Sequence, residues 1–245
     1  MEWWQELAVL ENNIAHDFFR RMVGATPSIS DGVVVCPISA GGVVAVDLAS
    51  RSLLWAYQYP RIAKSNNDPN RGQAPTLRQG DRWVDGSAVI ASGRVLLTPP
   101  ESDEMHCLDL FTGAQLWTQN RGQALFLAGV FRDKFLLIEN RQAAVCDLAN
   151  GQAVQRIPLP ATPSGRGVMT KDGRYCLPLT NASIVELDVP GGKLQGTTAL
   201  LRGVAAGNLI WQSGRFISVG PEYIEAFDDL SQLQERVAAA TEQSP

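Results

Sequence analysis

Residues 108–117 read Leu108-Asp109-Leu110-Phe111-Thr112-Gly113-Ala114-Gln115-Leu116-Trp117. An apolar run enters an acid, a glycine follows four residues after the acid, and a tryptophan follows eight residues after it. The pattern recurs upstream in GVVAVDLASRSLLW, which ends at Trp55, and downstream in QAAVCDLANGQAV, ASIVELDVPGGKLQ and EYIEAFDDLSQLQ. The aligned acids are Asp47, Asp109, Asp147, Asp188 and Asp228, at spacings of 62, 38, 41 and 40 residues. Three intervals lie near 40 and the first exceeds it by an insertion.

A second landmark precedes each acid, a turn running into apolar residues in SDGVVVC, ASGRVLL, RDKFLLI, KDGRYCL and QSGRFIS. Aligned on Gly32, Gly93, Lys134, Gly173 and Gly214, these give spacings of 61, 41, 39 and 41, so two landmarks report one period. Asp-Gly or Ser-Gly between apolar runs predicts a two-residue hairpin, whose turn requires positive φ. Each unit then reads strand, tight turn, strand, followed by the strand entering the aspartate, a second turn and a last strand. That is a four-stranded antiparallel meander of about 40 residues, the blade of a β-propeller. One blade has two apolar faces and must stack on neighbours to bury them. Six positions before each turn landmark stand Thr26, Ser87, Ala128, Gly167 and Asn208, short residues suited to crowded innermost strands.

The expected fold is all-β: a β-propeller of four-stranded antiparallel blades, with five copies visible and a sixth as a remnant, part of a larger ring such as an eight-bladed one, and short terminal helices. Three segments follow: 1–25 as an N-terminal helix or remnant blade strand, 26–228 as propeller repeats, and 229–245 as a C-terminal helix or linker. In the first segment Trp4, Leu7, Ile14, Phe18 and Met22 fall near helical spacing, whereas Trp4-Gln5-Glu6-Leu7 also fits the last strand of an incomplete blade. Residues 60–85 are polar, contain three prolines, and predict a long connection between the first two blades.

Composition sets limits on partners. Against 21 Lys+Arg stand 25 Asp+Glu, a formal net charge of -4, with a pI near 5.3 and a mean hydropathy of -0.06. The broad positive field that gathers nucleic acid or anionic membrane is missing, so neither is an expected partner. No run approaches the ~20 apolar residues of a spanning helix, and MEWWQELAVLENN carries acids where a secretory signal carries Lys or Arg. The compartment stays open, with the cell envelope or periplasm fitting if the N-terminus is truncated.

The stretch 108–117 resembles the Ala-x-Asp-x-x-Thr-Gly-x-x-x-Trp docking motif of pyrrolo-quinoline quinone (PQQ)-like propeller repeats. Ala45-Val46-Asp47 through Ser50 and Trp55 is a near-match with Arg51 in place of the glycine, while the third and fourth copies carry Gln155 and Gly196 where tryptophan is expected. The resemblance implies structural docking roles for Asp47, Trp55, Asp109, Gly113, Trp117, Asp147, Gly151 and Asp188. It also implies one of two functions. Quinoprotein alcohol and sugar dehydrogenases of this family hold PQQ and calcium in such a propeller, whereas the BamB-type barrel-assembly lipoprotein uses it as a binding scaffold.

The residues point to the scaffold. The family's cofactor-adjacent cysteine pair is missing: Cys36, Cys107, Cys146 and Cys176 each sit inside an apolar run and read as buried free thiols. His16 and His106 are the only histidines, which leaves no His-rich metal set and no nucleophile elbow with a partner. Glu101-Ser102-Asp103-Glu104-Met105-His106 gathers acids and reads as a solvated loop within a blade. Ser164-Gly165-Arg166-Gly167 lacks the Lys-Ser/Thr of a phosphate loop and reads as a blade entrance. Trp83, Asp85, Arg166 and Asn208 fall at blade entrances and are the candidate channel-mouth residues for any ligand. The expectation is therefore a non-catalytic module, bacterial in type, that binds a protein partner or adjoining domains, with no cofactor and no metal. The alternative is a PQQ- and calcium-dependent oxidoreductase.

Overall fold

The computed structural model describes residues 4, 6–9, 13–16, 21, 26–61, 82–83, 86–220 and 222–228. Nineteen strands are found there, together with one 3-10 turn at Ile14–His16. The first sheet holds β1 (Ser28–Ser30), β2 (Val33–Pro37), β3 (Gly42–Asp47) and β4 (Leu53–Gln58); the second holds β5 (Val89–Ala91), β6 (Arg94–Leu97), β7 (Glu104–Asp109) and β8 (Gln115–Asn120). The third comprises β9 (Ala124–Phe131), β10 (Lys134–Glu139), β11 (Gln142–Asp147) and β12 (Ala153–Pro158), and the fourth β13 (Val168–Met169), β14 (Arg174–Leu179), β15 (Ser183–Asp188) and β16 (Lys193–Ala199). The fifth holds β17 (Asn208–Gln212), β18 (Arg215–Val219) and β19 (Ile224–Asp228). Within every sheet the strands lie in chain order, so each is a meander.

Burial explains the sequence pattern. In the second and third blades the second and third strands are covered on both faces: β6 buries Val95, Leu96 and Leu97, β10 buries Phe135 to Ile138, and β7 buries Met105 to Leu108. Such strands read as unbroken apolar runs, since neither face meets water. The fourth strand is the outermost, and in β4 Trp55 alone is buried. In both β4 and β8 the register slips just before the tryptophan: Val46 pairs with Leu53 but Ala45 with Trp55, and Leu108 pairs with Gln115 but Cys107 with Trp117. Leu54 and Leu116 are thus bulged residues, and the bulge re-aims the following ring.

The first hairpin turns are left-handed. Asp31 and Gly32, Ser92 and Gly93, and Ser213 and Gly214 all have positive φ, as a two-residue primed turn demands. The third blade differs from its sequence alignment by one position. Its turn is Arg132-Asp133, with Arg132 at φ 56°, and Asp133 rather than Lys134 stands in the place of Gly32 and Gly93. The repeat itself identifies the equivalent residues: Leu48, Leu110, Leu148 and Val189, each directly after its aspartate, donate to the carbonyls of Gly32, Gly93, Asp133 and Gly173.

The chain divides into two compact units, 1–139 with 146–154, and 140–145 with 155–245. In the first unit β1 lies beside β5 and β5 beside β9; in the second β13 lies beside β17. First strands of consecutive blades are therefore neighbours within each unit. The core of the first unit includes Val33, Val35, Ala45, Trp55, Val95 and Leu108. In the second, Cys176, Ala206 and Leu209 are packed by Val168, Ile184 and Phe216. Cys107, Cys146 and Cys176 are buried free thiols and Cys36 is half-buried.

Two N-terminal expectations can be placed. Trp4 is 87% exposed and lies outside any strand. Of the N-terminal helix residues, Leu7 lies outside any helix and Ile14 stands in the 3-10 turn, whereas Phe18 and Met22, most of 60–85 including Asp85, and the tail 229–245 lie outside the described residues.

Candidate functional site

In the first four blades the aspartate organises the turn that follows it. Asp47 Oδ1 accepts the backbone amide and hydroxyl of Ser50, and Asp109 Oδ1 accepts the amides of Phe111 and Thr112 and the Thr112 hydroxyl. Asp147 accepts Ala149 N–H, and Asp188 accepts Gly191 N–H. The Ser50 hydroxyl holds the Asp47 carboxyl below the usual carboxylate range, and the Thr112 amide does the same for Asp109. A short acid at this position wins over other residues because it satisfies amides the turn leaves unpaired.

The turn so formed receives the preceding blade. Trp55 Nε1 donates to Leu110 O at 2.8 Å, and Trp117 Nε1 donates to Leu148 O at 3.0 Å. Gly113 has φ +69° and a Cβ there would stand 2.5 Å from Trp55 Cδ2; Gly151 has φ +75° and a Cβ there would stand 2.6 Å from Trp117 Cζ3. The glycine thus answers two demands at once, a left-handed backbone and room for an indole. Trp117 also stacks on Phe135, with centroids 5.9 Å apart. In the second unit Gln155 takes the tryptophan's place and its Cγ would meet a Cβ at Gly192, and one blade later Gly196 stands in that place, where a Cβ would meet nothing within 4 Å among the described residues. At the other end, Arg51 adopts φ 61° where the later blades have glycine. Leu48 there is 47% exposed, against 0% and 4% for the equivalent Leu110 and Leu148.

The candidate channel-mouth residues are placed as follows. Trp83 stacks on Phe126 with ring centroids 4.6 Å apart and an interplanar angle of 19°. Arg166 and Asn208 are brought together: Arg166 N–H donates to Asn208 Oδ1 at 2.8 Å, and Leu209 N–H donates to Arg166 O at 2.7 Å. A Cβ at Gly165 would run into the Gly207 backbone, so the Ser-Gly-Arg-Gly stretch is a close strand crossing between the fourth and fifth blades. Trp83 belongs to the other compact unit, and Asp85 lies outside the described residues.

The acidic stretch 101–106 overturns its sequence reading as a solvated loop. Glu101, Ser102 and His106 are only 2%, 1% and 1% exposed. Glu101 Oε1 accepts the Tyr59 hydroxyl at 2.8 Å and Gly41 N–H at 3.2 Å. Arg82, equally buried, donates to Ser102 O and stands 2.7 Å from Asp103 Oδ1. Arg121 donates to the carbonyls of Thr98 and Leu125. His106 stacks on Tyr59 at 5.3 Å and its Nδ1 is 3.2 Å from the Tyr57 hydroxyl; burial pushes its pKa down to about 4, so the ring is neutral at pH 7. Burial, reinforced by the Glu101 charge, raises the Tyr59 phenol. Glu101 Oε2 and Ser39 Oγ have no hydrogen-bond partner among the described residues, and both side chains line a cavity of about 10 Å³, the size of one water. These polar groups tie the loops of the first two blades together.

No protein-family model matches the chain, and a comparison with curated proteins finds no match. Solved structures do match. BamB from Moraxella catarrhalis superposes with a TM-score of 0.57 at 13% identity, over 83% of this chain and 60% of that one. The WD40 β-propeller domain of Doa1 superposes with a TM-score of 0.54 at 12% identity, over 84% of this chain. The chain spans 60% and 64% of the lengths of these two relatives. At such identities the likeness speaks to fold, and with five antiparallel meander sheets in chain order it establishes that the protein is a β-propeller.

Proposed function

We infer that the chain is a PQQ-like propeller of bacterial type that serves as a non-catalytic protein-interaction or scaffold module, holding neither PQQ nor calcium. The observation that supports this is where the conspicuous residues are used. Asp47, Asp109, Asp147 and Asp188 cap turns, Trp55 and Trp117 fill the space above turn glycines, and Trp83 lies on Phe126. A quinone enzyme needs a cation at the quinone carbonyl, a carboxylate base and an aromatic floor around one mouth. Here the most deeply buried carboxylate among the described residues, Glu101, is engaged by Tyr59 and Gly41 inside the fold.

The test is direct. The chain is incubated with PQQ and calcium, free cofactor is removed, and the absorbance spectrum and dye reduction with alcohols and aldose sugars are recorded. The expected result is no retained quinone and no dye reduction. Stoichiometric quinone with substrate-dependent reduction would overturn the reading in favour of the oxidoreductase.

A further inference from the structure

Asn150-Gly151 is the one Asn-Gly step in the sequence, and it forms the tip of the third blade's aspartate turn. The same positions of the first, second and fourth blades carry Ser50-Arg51, Thr112-Gly113 and Gly191-Gly192, none with a side-chain amide. Glycine after asparagine has no side chain to hinder its nitrogen from reaching the preceding side-chain carbonyl carbon. In the folded turn both reacting groups are engaged. Gly151 N–H donates to Asp147 O at 2.8 Å, and Asn150 Oδ1 accepts Gln152 N–H at 2.8 Å. The second blade adds a cover from β8: Gln119 Nε2 donates to Asn150 O at 3.0 Å, and a Cβ on Gly151 would stand 2.7 Å from Gln119 Cγ and 2.6 Å from Trp117 Cζ3. Asn150 is therefore exposed while Gly151, the nucleophile, is buried.

We propose that Asn150-Gly151 is a site of spontaneous covalent modification gated by the docking of Trp117 and Gln119. While β8 is seated, the turn resists the reaction; when β8 lifts, the Gly151 nitrogen attacks Asn150 Cγ. The new N–Cγ bond closes a five-membered succinimide, the Cγ–Nδ2 bond breaks, and the proton lost by the Gly151 nitrogen passes through solvent to the departing ammonia. Water then opens the ring at either carbonyl, giving aspartate at 150 or isoaspartate, in which the main chain runs through the former side chain. Water is the only co-reactant. Isoaspartate adds one carbon to the main chain inside the turn, which shifts Gly151 from its bond to Asp147 O and from its place beneath Trp117. A transient opening between the second and third blades is thereby recorded as a contact that no longer closes. Closing is a local event, so the rate follows the open fraction of this one contact.

The test incubates the full chain at mildly alkaline pH and follows residue 150 by peptide mapping and by isoaspartyl methyltransferase labelling. The folded wild type is expected to convert at least tenfold more slowly than the same chain in urea. Trp117→Ala converts at least tenfold faster than wild type, whereas Trp55→Ala, which loses the same kind of contact one interface earlier, stays near the wild-type rate. Circular dichroism checks that both variants are folded, and if Trp117→Ala is not, Gln119→Ala, which removes only the bond to Asn150 O, carries the same comparison. Asn150→Thr copies the second blade, where Thr112 Oγ1 accepts Ala114 N–H as Asn150 Oδ1 accepts Gln152 N–H, and abolishes the label without lowering the denaturation midpoint. Equal rates for folded and urea-treated wild type, equal acceleration by Trp55→Ala and Trp117→Ala, or label persisting in Asn150→Thr overturns the proposal.

Discussion

Trp117 occupies the space that a β-carbon on Gly151 would need, its Cζ3 lying 2.6 Å from that position. The contact belongs to two blades: the tryptophan is the bulge-aimed residue of the second, and the glycine closes the aspartate turn of the third. Trp55 and Gly113 repeat it one blade earlier.

Gly151→Ala therefore meets two penalties, a left-handed backbone of about 1–2 kcal/mol and overpacking of about 1–3 kcal/mol. Gly93→Ala meets the first alone, because Gly93 has φ +69° with nothing within 4 Å of a Cβ. Urea denaturation of both variants should show the larger loss for Gly151→Ala. Equal midpoints would mean that the indole moves aside.

Replacing Trp117 by Ala empties the site above Gly151 and should cost ~3–5 kcal/mol, the range for a buried aromatic. Trp117→Phe retains an aromatic ring but leaves Leu148 O without its donor, at about 1–3 kcal/mol for an unsatisfied buried group. The ordering wild type, Phe, Ala in denaturation midpoint is the expected outcome, and Phe equal to Ala would place the whole effect in the hydrogen bond.

Acid should weaken the fold in a window set by His106. Its folded pKa of about 4 lies below the ordinary 6.5, so folding favours the neutral ring. The unfolded chain takes up a proton as pH falls through 6.5 while the folded chain does not until about 4. The stabilisation is therefore present above pH 6.5 and is lost progressively towards pH 4, by on the order of 3 kcal/mol. The Asp47 and Asp109 carboxyls, held below 3.8, lose their contribution only under that pH. Denaturation midpoints at pH 7 and 4.5 should converge in His106→Gln, and an unchanged slope would assign the window elsewhere.

The cavity between Ser39 and Glu101 gives a crystallographic prediction. A high-resolution electron-density map should show one ordered water within hydrogen-bond distance of Ser39 Oγ and Glu101 Oε2. Glu101→Ala removes the acceptor of Tyr59 and Gly41 and should destabilise by about 1–3 kcal/mol, with Glu101→Gln less harmful because it keeps an amide oxygen for both donors. Density without water, or equal losses for the two variants, would show that the two orphan oxygens are satisfied otherwise.

The repeat was legible because docking imposes its residues twice, in the tryptophan and in the turn that meets it. Asp109, Gly113 and Trp117 are set by local turn chemistry and one packing contact, and both leave fixed spacings in the chain. The third hairpin is displaced by one position from its sequence alignment because its turn, Arg132-Asp133, carries no glycine to mark it: Asp133 stands where Gly32 and Gly93 stand. The burial of Glu101 and His106 left no such trace. Their partners Tyr59 and Tyr57 stand 42 and 49 residues away, and a polar run between strands carries the same letters whether solvent or another loop satisfies it.

One feature of the docking bond reaches beyond stability. Trp55 finds Leu110 across 55 residues and Trp117 finds Leu148 across 31, yet the two bonds differ by only 0.2 Å. Loop-closure entropy separates those spans by only about 0.5 kcal/mol. The length of the blade-to-blade connector is thus nearly silent in the folding free energy, and the fold can accept added sequence there. Evolution, or a protein engineer, can graft a recognition loop or an entire small domain between the first two blades without renegotiating the interface that holds them together.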